Sequence, residues 1–143
     1  MFFDESEEKD LVRKLDECGL IVRHNVLTFD YLVIAPFLND KNIISHYAPK
    51  TIDTFDLLKR ATNSWIGLQD LAKLNLGKAK TLDAIDAPKM WRAGLKKEVR
   101  EYCKNDVVLL KEIYNYGKNN GKLKYTLKNY GEVVGVKDIK CPW

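Results

Sequence analysis

The feature that most constrains the fold is one long amphipathic segment in the second half of the sequence. Apolar residues recur there at the spacing of a helix, and the pattern stops at Gly117. These positions are Leu95, Val99, Tyr102, Cys103, Leu109, Leu110, Ile113 and Tyr114. Such a helix must bury its stripe against other elements. Because 45% of the 143 residues are apolar, the sequence can supply that core as a single domain over residues 1–143.

Shorter periodic segments before Gly67 predict alternating helices and strands. We expect a helix from Ser6, as its N-cap, to Cys18, and a buried strand from Leu20 to Val22. A second helix is expected from Thr28, with Phe29, Val33 and Phe37 on one stripe and an early end at Pro36. The segment from Lys50 to Leu58 predicts a strand that leads into a short helix from Asp53.

The remaining segments complete an α/β pattern. Residues 67–76 predict a packing helix that ends at Gly77, and residues 78–94 predict a loop with a short turn. The sequences LKYTL and EVVGV flank residues 128–131, which predicts a C-terminal β-hairpin with glycine at its turn. This alternation predicts an α/β fold with at least one parallel strand pair.

Composition narrows the class of protein. No apolar run approaches the length of a membrane span, and the N-terminus is acidic where a signal peptide is basic and then apolar, so we expect a cytoplasmic protein. The three cysteines, Cys18, Cys103 and Cys141, lack metal-ligand spacing and predict buried or idle thiols. The net charge of +4 combines an acidic first helix with a basic segment over residues 89–128, which suits either a phosphate-binding surface or a solvated helix face.

Asp106 is an anomaly on the long helix, because its spacing from Tyr102 and Leu110 places it on the apolar stripe. Burying an unpaired carboxylate costs several kcal/mol, so Asp106 should meet a cation, a hydrogen-bond donor or a metal. Tyr102 lies one turn earlier on the same face. The pair predicts either a site for a metal-bound water or a hydrogen-bonded core pair.

A second candidate is Asp30, which follows the first predicted strand and a polar loop. Asp30 is either an anion that the N-terminus of a helix stabilises or an ordinary acid in the first turn of a helix. Four further carboxylates are expected to be helix caps and surface acids: Asp53, Asp56, Asp83 and Asp86. Since two-metal nucleases need carboxylates from distant chain segments, Asp30 and Asp106 are considered together.

These motifs resemble the second and third motifs of the DnaQ-like (DEDDy) 3′-to-5′ exonucleases of the RNase H-like superfamily. The resemblance is carried by His24-Asn25 with Phe29-Asp30, and then by Tyr102-Cys-Lys-Asn-Asp106-Val107. It extends over residues 2–143 and is nearest to the predicted exonucleases with YprB-type domains. It implies an RNase H-like fold and hydrolysis of phosphodiesters in single-stranded DNA or RNA with Mg²⁺ or Mn²⁺.

The resemblance also implies roles for individual residues. Asp30 and Asp106 would be metal ligands, and Tyr102 would orient the attacking water. His24, Asn25 and Phe29 would shape the substrate cleft. Arg23 stands where the subgroup usually has glycine, so its cation would contact phosphate or crowd the loop.

One part of the family pattern is not found in this sequence. The family carries an Asp-x-Glu motif on the first strand of an opening three-stranded meander, and residues 1–7 offer only acids at a helix start. We therefore expect a fold that lacks these three strands, completed by a partner strand, by a homodimer or in a longer gene product. The alternative function is a catalytically inactive domain that binds nucleic acid or a protein partner.

Overall fold

The computed structural model describes residues 7–78 and 86–143. The chain divides into two units, Met1–Asn63 and Ser64–Trp143. Both contain helices and a pair of strands, so the structure is mixed α/β, as the sequence predicts. None of the described helices combines the length and apolar character that a bilayer-spanning segment requires.

The first unit is built around two short parallel strands. Strand β1 pairs with β2 in the register Ile21 to Thr51, Val22 to Ile52 and Arg23 to Asp53, which confirms the predicted parallel pair. The elements in chain order are α1 (Glu8–Glu17), β1 (Ile21–Arg23), a π-helical turn (Val26–Asp30), α2 (Tyr31–Ile34), α3 (Ile43–Tyr47), a 3₁₀ turn (Ala48–Lys50), β2 (Thr51–Asp53) and α4 (Thr54–Thr62).

The core of the first unit is an apolar cluster beside β1. Its buried members are Ile21, Val26, Tyr31, Ile43 and Tyr47. The Tyr31 and Tyr47 rings lie 5.9 Å apart between centroids, and the Tyr31 hydroxyl bonds to Thr51 Oγ1 at 2.8 Å. The cluster therefore ties the segment after β1 to the start of β2.

The helix expected from Thr28 buries a different face from the one that the sequence predicts. The chain already turns at Val26, and the Tyr31 N–H donates to the Val26 carbonyl across five residues. This π-turn moves the buried face onto Val26 and Tyr31, so the predicted stripe of Phe29, Val33 and Phe37 is exposed. Helix α2 ends at Ile34, shortly before Pro36.

Two further differences concern the first unit. Helix α3 was not predicted, because its segment is short and contains the polar residues Ser45 and His46. Helix α1 begins at Glu8, and the predicted cap Ser6 lies outside the described residues.

The second unit packs helices against a hairpin. Its elements are α5 (Leu68–Leu76), α6 (Ala87–Arg92), α7 (Lys96–Asn120), β3 (Lys122–Asn129) and β4 (Glu132–Lys140). Strands β3 and β4 are antiparallel, and Tyr130 and Gly131 take positive φ values of 48° and 86° at the turn. The predicted hairpin is confirmed, with longer strands. The buried face contains Leu71, Ala72, Leu110, Ile113, Leu123 and Tyr125.

The long helix α7 continues past its predicted end. It runs to Asn120 and stops at Gly121, whose φ of 68° supplies the left-handed C-cap. Gly117 instead lies inside the helix, where a Cβ would be 2.8 Å from Cys141 Sγ and 3.0 Å from Trp143 Cζ2. Glycine is therefore present because the C-terminal segment packs closely on α7.

Two other sequence predictions, for residues 78–94 and for the cysteines, differ in part from the structure. The predicted loop over residues 78–94 contains the short helix α6, while residues 79–85 and the expected surface acid Asp83 lie outside the described part. The cysteines are not buried: Cys18 and Cys103 are exposed and Cys141 is half-buried. Cys103 is therefore not part of the buried stripe of α7.

Candidate functional site

The loop that follows β1 is organised by a buried carboxylate, Asp53, at the end of β2. Asp53 is 3% exposed. Its Oδ1 accepts a hydrogen bond from the Asn25 N–H at 2.7 Å, and its Oδ2 accepts one from the Leu27 N–H at 3.0 Å. The loop is thus fixed across the parallel strand pair, with Asn25 in the left-handed region at φ 70°.

The same carboxylate begins the next helix. Asp53 Oδ1 also accepts from the N–H groups of Phe55 at 3.0 Å and Asp56 at 3.3 Å, which makes Asp53 the N-cap of α4. The predicted capping role is therefore confirmed. The sequence did not reveal its bonds to Asn25 and Leu27, because they depend on β1 lying beside β2.

Asp30 lies at the end of the π-helical turn and faces Arg23. The Arg23 Nη2 and Asp30 Oδ1 atoms are 3.3 Å apart, and the two side chains are 40% and 36% exposed. A π-turn often accompanies a functional site. The pair shows that Arg23, the departure from the family pattern, contacts the very carboxylate that the resemblance assigns to a metal.

The three residues that the resemblance assigns to the substrate cleft differ from one another in their contacts and exposure. They are His24, Asn25 and Phe29. His24 Nδ1 bonds to Thr54 Oγ1 at 2.9 Å, and its ring meets Phe55 edge-on at 5.5 Å. The Asn25 side-chain oxygen accepts a bond from Thr28 Oγ1. Phe29 is 60% exposed. The first unit thus gathers the four residues Arg23, His24, Asn25 and Asp30 around the end of β1, and presents Phe29 to solvent nearby.

Tyr102 and Asp106 belong to the second unit and share one face of α7. They are separated by one helical turn, and Leu110 continues the same row. Tyr102 and Leu110 are buried and Asp106 is half-buried between them. The structure therefore places a carboxylate within the apolar stripe, as the spacing indicates.

The described residues, 7–78 and 86–143, contain no group of three His, Cys, Asp or Glu side chains that could hold a metal ion. Asp30 belongs to the first unit and Asp106 to the second. Asp53 is the other carboxylate near the Asn25 loop, and four backbone N–H groups occupy its oxygens. These bonds give Asp53 a structural role in this loop.

The first unit also contains a cavity of about 480 Å³. Two hydrogen-bonded pairs contribute to its wall: Tyr47 with Asp16 at 2.9 Å, and His46 with Asp40 at 2.8 Å. Burial, together with the hydrogen bond to Asp16, raises the pKa of Tyr47 to about 12. None of the predicted site residues lines this cavity.

Comparisons of the chain with protein-family models, with curated proteins and with solved structures find no match.

Proposed function

We propose that this chain forms part of a DnaQ-like 3′-to-5′ exonuclease domain with an RNase H-like fold, which acts on single-stranded DNA or RNA. The observation that carries the proposal is the position of Asp106 within the buried stripe of α7, one turn after buried Tyr102. The resemblance assigns its third motif, Tyr-x3-Asp, to these two residues, and their position on one face of α7 supports that assignment.

The strand topology of the first unit supports the same proposal. In α/β proteins, ligands bind at the carboxyl ends of parallel strands. The loop with His24 and Asn25 leaves the carboxyl end of β1, and Asp53 at the end of β2 fixes that loop. Asp30 follows within one π-turn. The resemblance assigns its second motif to these residues.

The donor chemistry fits Mg²⁺ or Mn²⁺, because Asp30 and Asp106 offer carboxylate oxygens, which hard divalent ions prefer. Such ions, when bound, polarise a phosphodiester and make water more acidic. The resemblance assigns both carboxylates to metal binding. A pair of ions requires further carboxylates, such as those of the Asp-x-Glu motif that the family carries.

The remaining residues have roles that their own chemistry supports. The Tyr102 hydroxyl can orient a water molecule by hydrogen bonding, and the exposed ring of Phe29 can stack on a base. Asn25 is held by backbone bonding, so it can shape a cleft without reorganising. Arg23 competes with a cation for Asp30, because its guanidinium already contacts that carboxylate.

Degradation of a 5′-labelled single strand in Mn²⁺ tests the proposal. The unmodified chain should shorten the strand from its 3′ end, and Asp106→Asn should abolish this shortening. Glu98→Gln is the matched control, since Glu98 lies exposed in the first turn of the same helix and should leave the activity unchanged. Absence of shortening at every protein concentration would contradict nuclease activity of this chain.

Metal binding gives a readout that does not depend on turnover. Titration of the chain with Mn²⁺, followed by the loss of the free-ion paramagnetic resonance signal, should show weak binding. Asp30→Asn and Asp106→Asn should each reduce the affinity, whereas Asp10→Asn on α1 should not. Equal affinity in all four proteins would contradict the assignment of Asp30 and Asp106 as ligands.

A second candidate function, binding of nucleic acid without hydrolysis, is favoured by a row of lysines on α7. Lys97, Lys104, Lys111 and Lys118 recur every seven residues and are all exposed. Seven residues span about 10 Å of helix, so the row follows α7 on the side away from its buried stripe. Such a row suits contacts with successive phosphates.

Fluorescence anisotropy with a labelled oligonucleotide at several salt concentrations tests this second function. Lys104→Gln and Lys111→Gln should each weaken binding and lower the slope of log affinity against log salt by about 0.7 for a single strand. Lys9→Gln on α1 is the control, because Lys9 is equally exposed but lies outside the row. Unchanged slopes would contradict a role for the row.

A further inference from the structure

The corner between helices α6 and α7 is basic and carries an exposed tryptophan. Residues 86–104 contain six lysine or arginine residues against three acids. All six basic residues are exposed: Lys89, Arg92, Lys96, Lys97, Arg100 and Lys104. Trp91 lies in the same segment, near the end of α6, and is 42% exposed. The corner therefore offers an aromatic surface within a region of positive charge.

A Schellman motif at the end of α6 fixes the backbone around Trp91. The Leu95 N–H donates to the Met90 carbonyl at 3.0 Å, and the Gly94 N–H donates to the Trp91 carbonyl at 3.1 Å. Gly94 has the positive φ, 82°, that this motif requires. Helix α7 begins at Lys96, directly after the motif, so the motif sets the position of this lysine relative to the indole.

Lys96 interacts with the indole of Trp91. Its Nζ atom lies 5.0 Å from the centroid of the ring. A cation–π contact at an exposed site is weak, so Lys96 can exchange the ring for a phosphate oxygen at little cost. The pair thus provides a ring for a base and an ammonium group for the phosphate of the same nucleotide.

The other two tryptophans do not combine these features. The Trp143 ring stacks on Tyr114, and its Nε1–H donates to the Tyr114 carbonyl at 3.0 Å. Trp65 is 76% exposed, but residues 63–67 include no charged residue. Trp91 is therefore the tryptophan whose neighbours in sequence supply positive charge.

We propose that Trp91 stacks on an unpaired base of a single-stranded nucleic acid whose phosphates contact the row of lysines on α7. This inference rests on the second candidate function, binding of nucleic acid without hydrolysis, and names the group that contacts the bases. Lys97 is the first lysine of that row and directly follows Lys96, so a strand along the row reaches the corner. Stacking on an indole needs a base with an accessible face, which single strands offer. Trp91 thus gives the basic surface a preference for single strands.

Binding of labelled oligothymidylate and oligouridylate, compared with an abasic strand of the same length, tests the proposal. The abasic strand keeps the phosphates and lacks the bases, so the unmodified chain should bind it about tenfold more weakly. Trp91→Leu should lower the affinity for a strand with bases about tenfold and leave the affinity for the abasic strand unchanged. Trp91→Phe keeps an aromatic ring and should retain most of the affinity. The strand, DNA or RNA, whose affinity falls in Trp91→Leu is the ligand.

Two control variants separate stacking from charge and from the general loss of a tryptophan. Lys104→Gln should weaken binding of the abasic strand and of the strand with bases by the same factor, because it removes a phosphate contact. Trp65→Leu removes another exposed tryptophan of the second unit and should leave both affinities unchanged. Circular dichroism of Trp91→Leu should match that of the unmodified chain.

The outcomes distinguish the role of Trp91 from the function on which it rests. If the unmodified chain binds no strand at low salt, nucleic-acid binding and the role of Trp91 are both wrong. If Lys104→Gln weakens binding but Trp91→Leu does not, the row of lysines binds phosphates and stacking on Trp91 is wrong. Equal binding of the abasic strand and of the strands with bases by the unmodified chain would also overturn stacking, and this comparison does not depend on the folding of any variant.

Discussion

The side-chain amide of Asn75 pairs with the backbone of Lys124 as a neighbouring strand would. Asn75 Oδ1 accepts from the Lys124 N–H at 2.8 Å, and Nδ2 donates to the Lys124 carbonyl at 2.9 Å. Nδ2 also donates to the Leu71 carbonyl at 2.8 Å, which fixes the amide on α5. One side chain thus satisfies a pair of backbone groups at the β3 edge and joins helix to hairpin.

Replacement of this amide should open the β3 edge. Asn75→Ala should lower the free energy of unfolding by about 1–2 kcal/mol, because water replaces the two lost partners of exposed Lys124. Hydrogen exchange should show faster exchange of the Lys124 amide than of the Thr126 amide, which Asp70 still holds. Asn115→Ala, on the exposed side of α7, should change neither quantity. Equal exchange at both amides would contradict the separate roles of Asn75 and Asp70.

Gly117 should be intolerant of a side chain despite its helical position. Alanine is favoured over glycine in a helix by about 1 kcal/mol, yet its Cβ would lie 2.8 Å from Cys141 Sγ. We expect Gly117→Ala to destabilise the chain by about 1–3 kcal/mol, because such overpacking displaces the C-terminal segment. Chemical denaturation measures the change. Trp143 fluorescence should change as well, since this indole stacks on Tyr114 and donates to its carbonyl at 3.0 Å.

A second substitution separates overpacking from other effects at Gly117. Cys141→Ala removes the sulfur atom nearest to the new Cβ, so it should recover part of the stability lost in Gly117→Ala. Gly67→Ala is a control, because no atom lies within 4 Å of the Cβ position there. A Gly117→Ala protein as stable as the unmodified chain would show that the C-terminal segment does not pack on α7.

Asp53 should be the most sensitive carboxylate of the first unit. Asp53→Asn replaces one of its two acceptor oxygens by a donor, so at least one of the bonded N–H groups loses its acceptor. The free energy of unfolding should fall by about 2–3 kcal/mol in denaturant titrations. Asp56→Asn is the matched control, because Asp56 forms a surface ion pair with Arg60 that contributes less than about 1 kcal/mol. Equal losses would contradict the organising role of Asp53.

Tyr47 should make the first unit sensitive to alkali. Burial and the bond to Asp16 raise its pKa from 10.0 to about 12, so the unfolded chain loses this proton at lower pH than the folded chain. The contribution of Tyr47 to the free energy of unfolding is complete below about pH 10 and falls as the pH rises toward 12. Unfolding titrations at successive pH values should therefore show a smaller alkaline loss for Tyr47→Phe than for the unmodified chain. An identical loss in both proteins would contradict this linkage.

The sequence predicts local features of this fold better than those that depend on distant contacts. The hairpin turn and the capping of α4 by Asp53 follow from residues adjacent in sequence, and the structure confirms both. The phase of the segment after β1 was wrong, because the π-turn that buries Tyr31 is set by packing against Ile43 and Tyr47. The end of α7 was wrong for a similar reason, since Gly117 accommodates a segment that begins more than twenty residues later.

The candidate site shows the same division between features set by local spacing and features set by distant contacts. Tyr102 and Asp106 lie on one helical face because they are four residues apart, so a sequence pattern suffices to place them together. The anchoring of Asn25 by Asp53 and the pairing of Arg23 with Asp30 depend on side chains meeting across strands or a turn. No spacing rule predicts such contacts.

The contact between Arg23 and Asp30 leads to a prediction about metal affinity. If Asp30 is a ligand, its ion pair with Arg23 must be broken before a cation binds, and the guanidinium also repels that cation. Arg23→Gln should therefore raise the Mn²⁺ affinity of the chain several-fold at low ionic strength, and added salt should reduce the difference. Arg13→Gln is the control, because Arg13 pairs with Asp10 in an exposed helix. An unchanged affinity in Arg23→Gln, with Asp30→Asn still weakening binding, would show that Arg23 does not compete for this carboxylate.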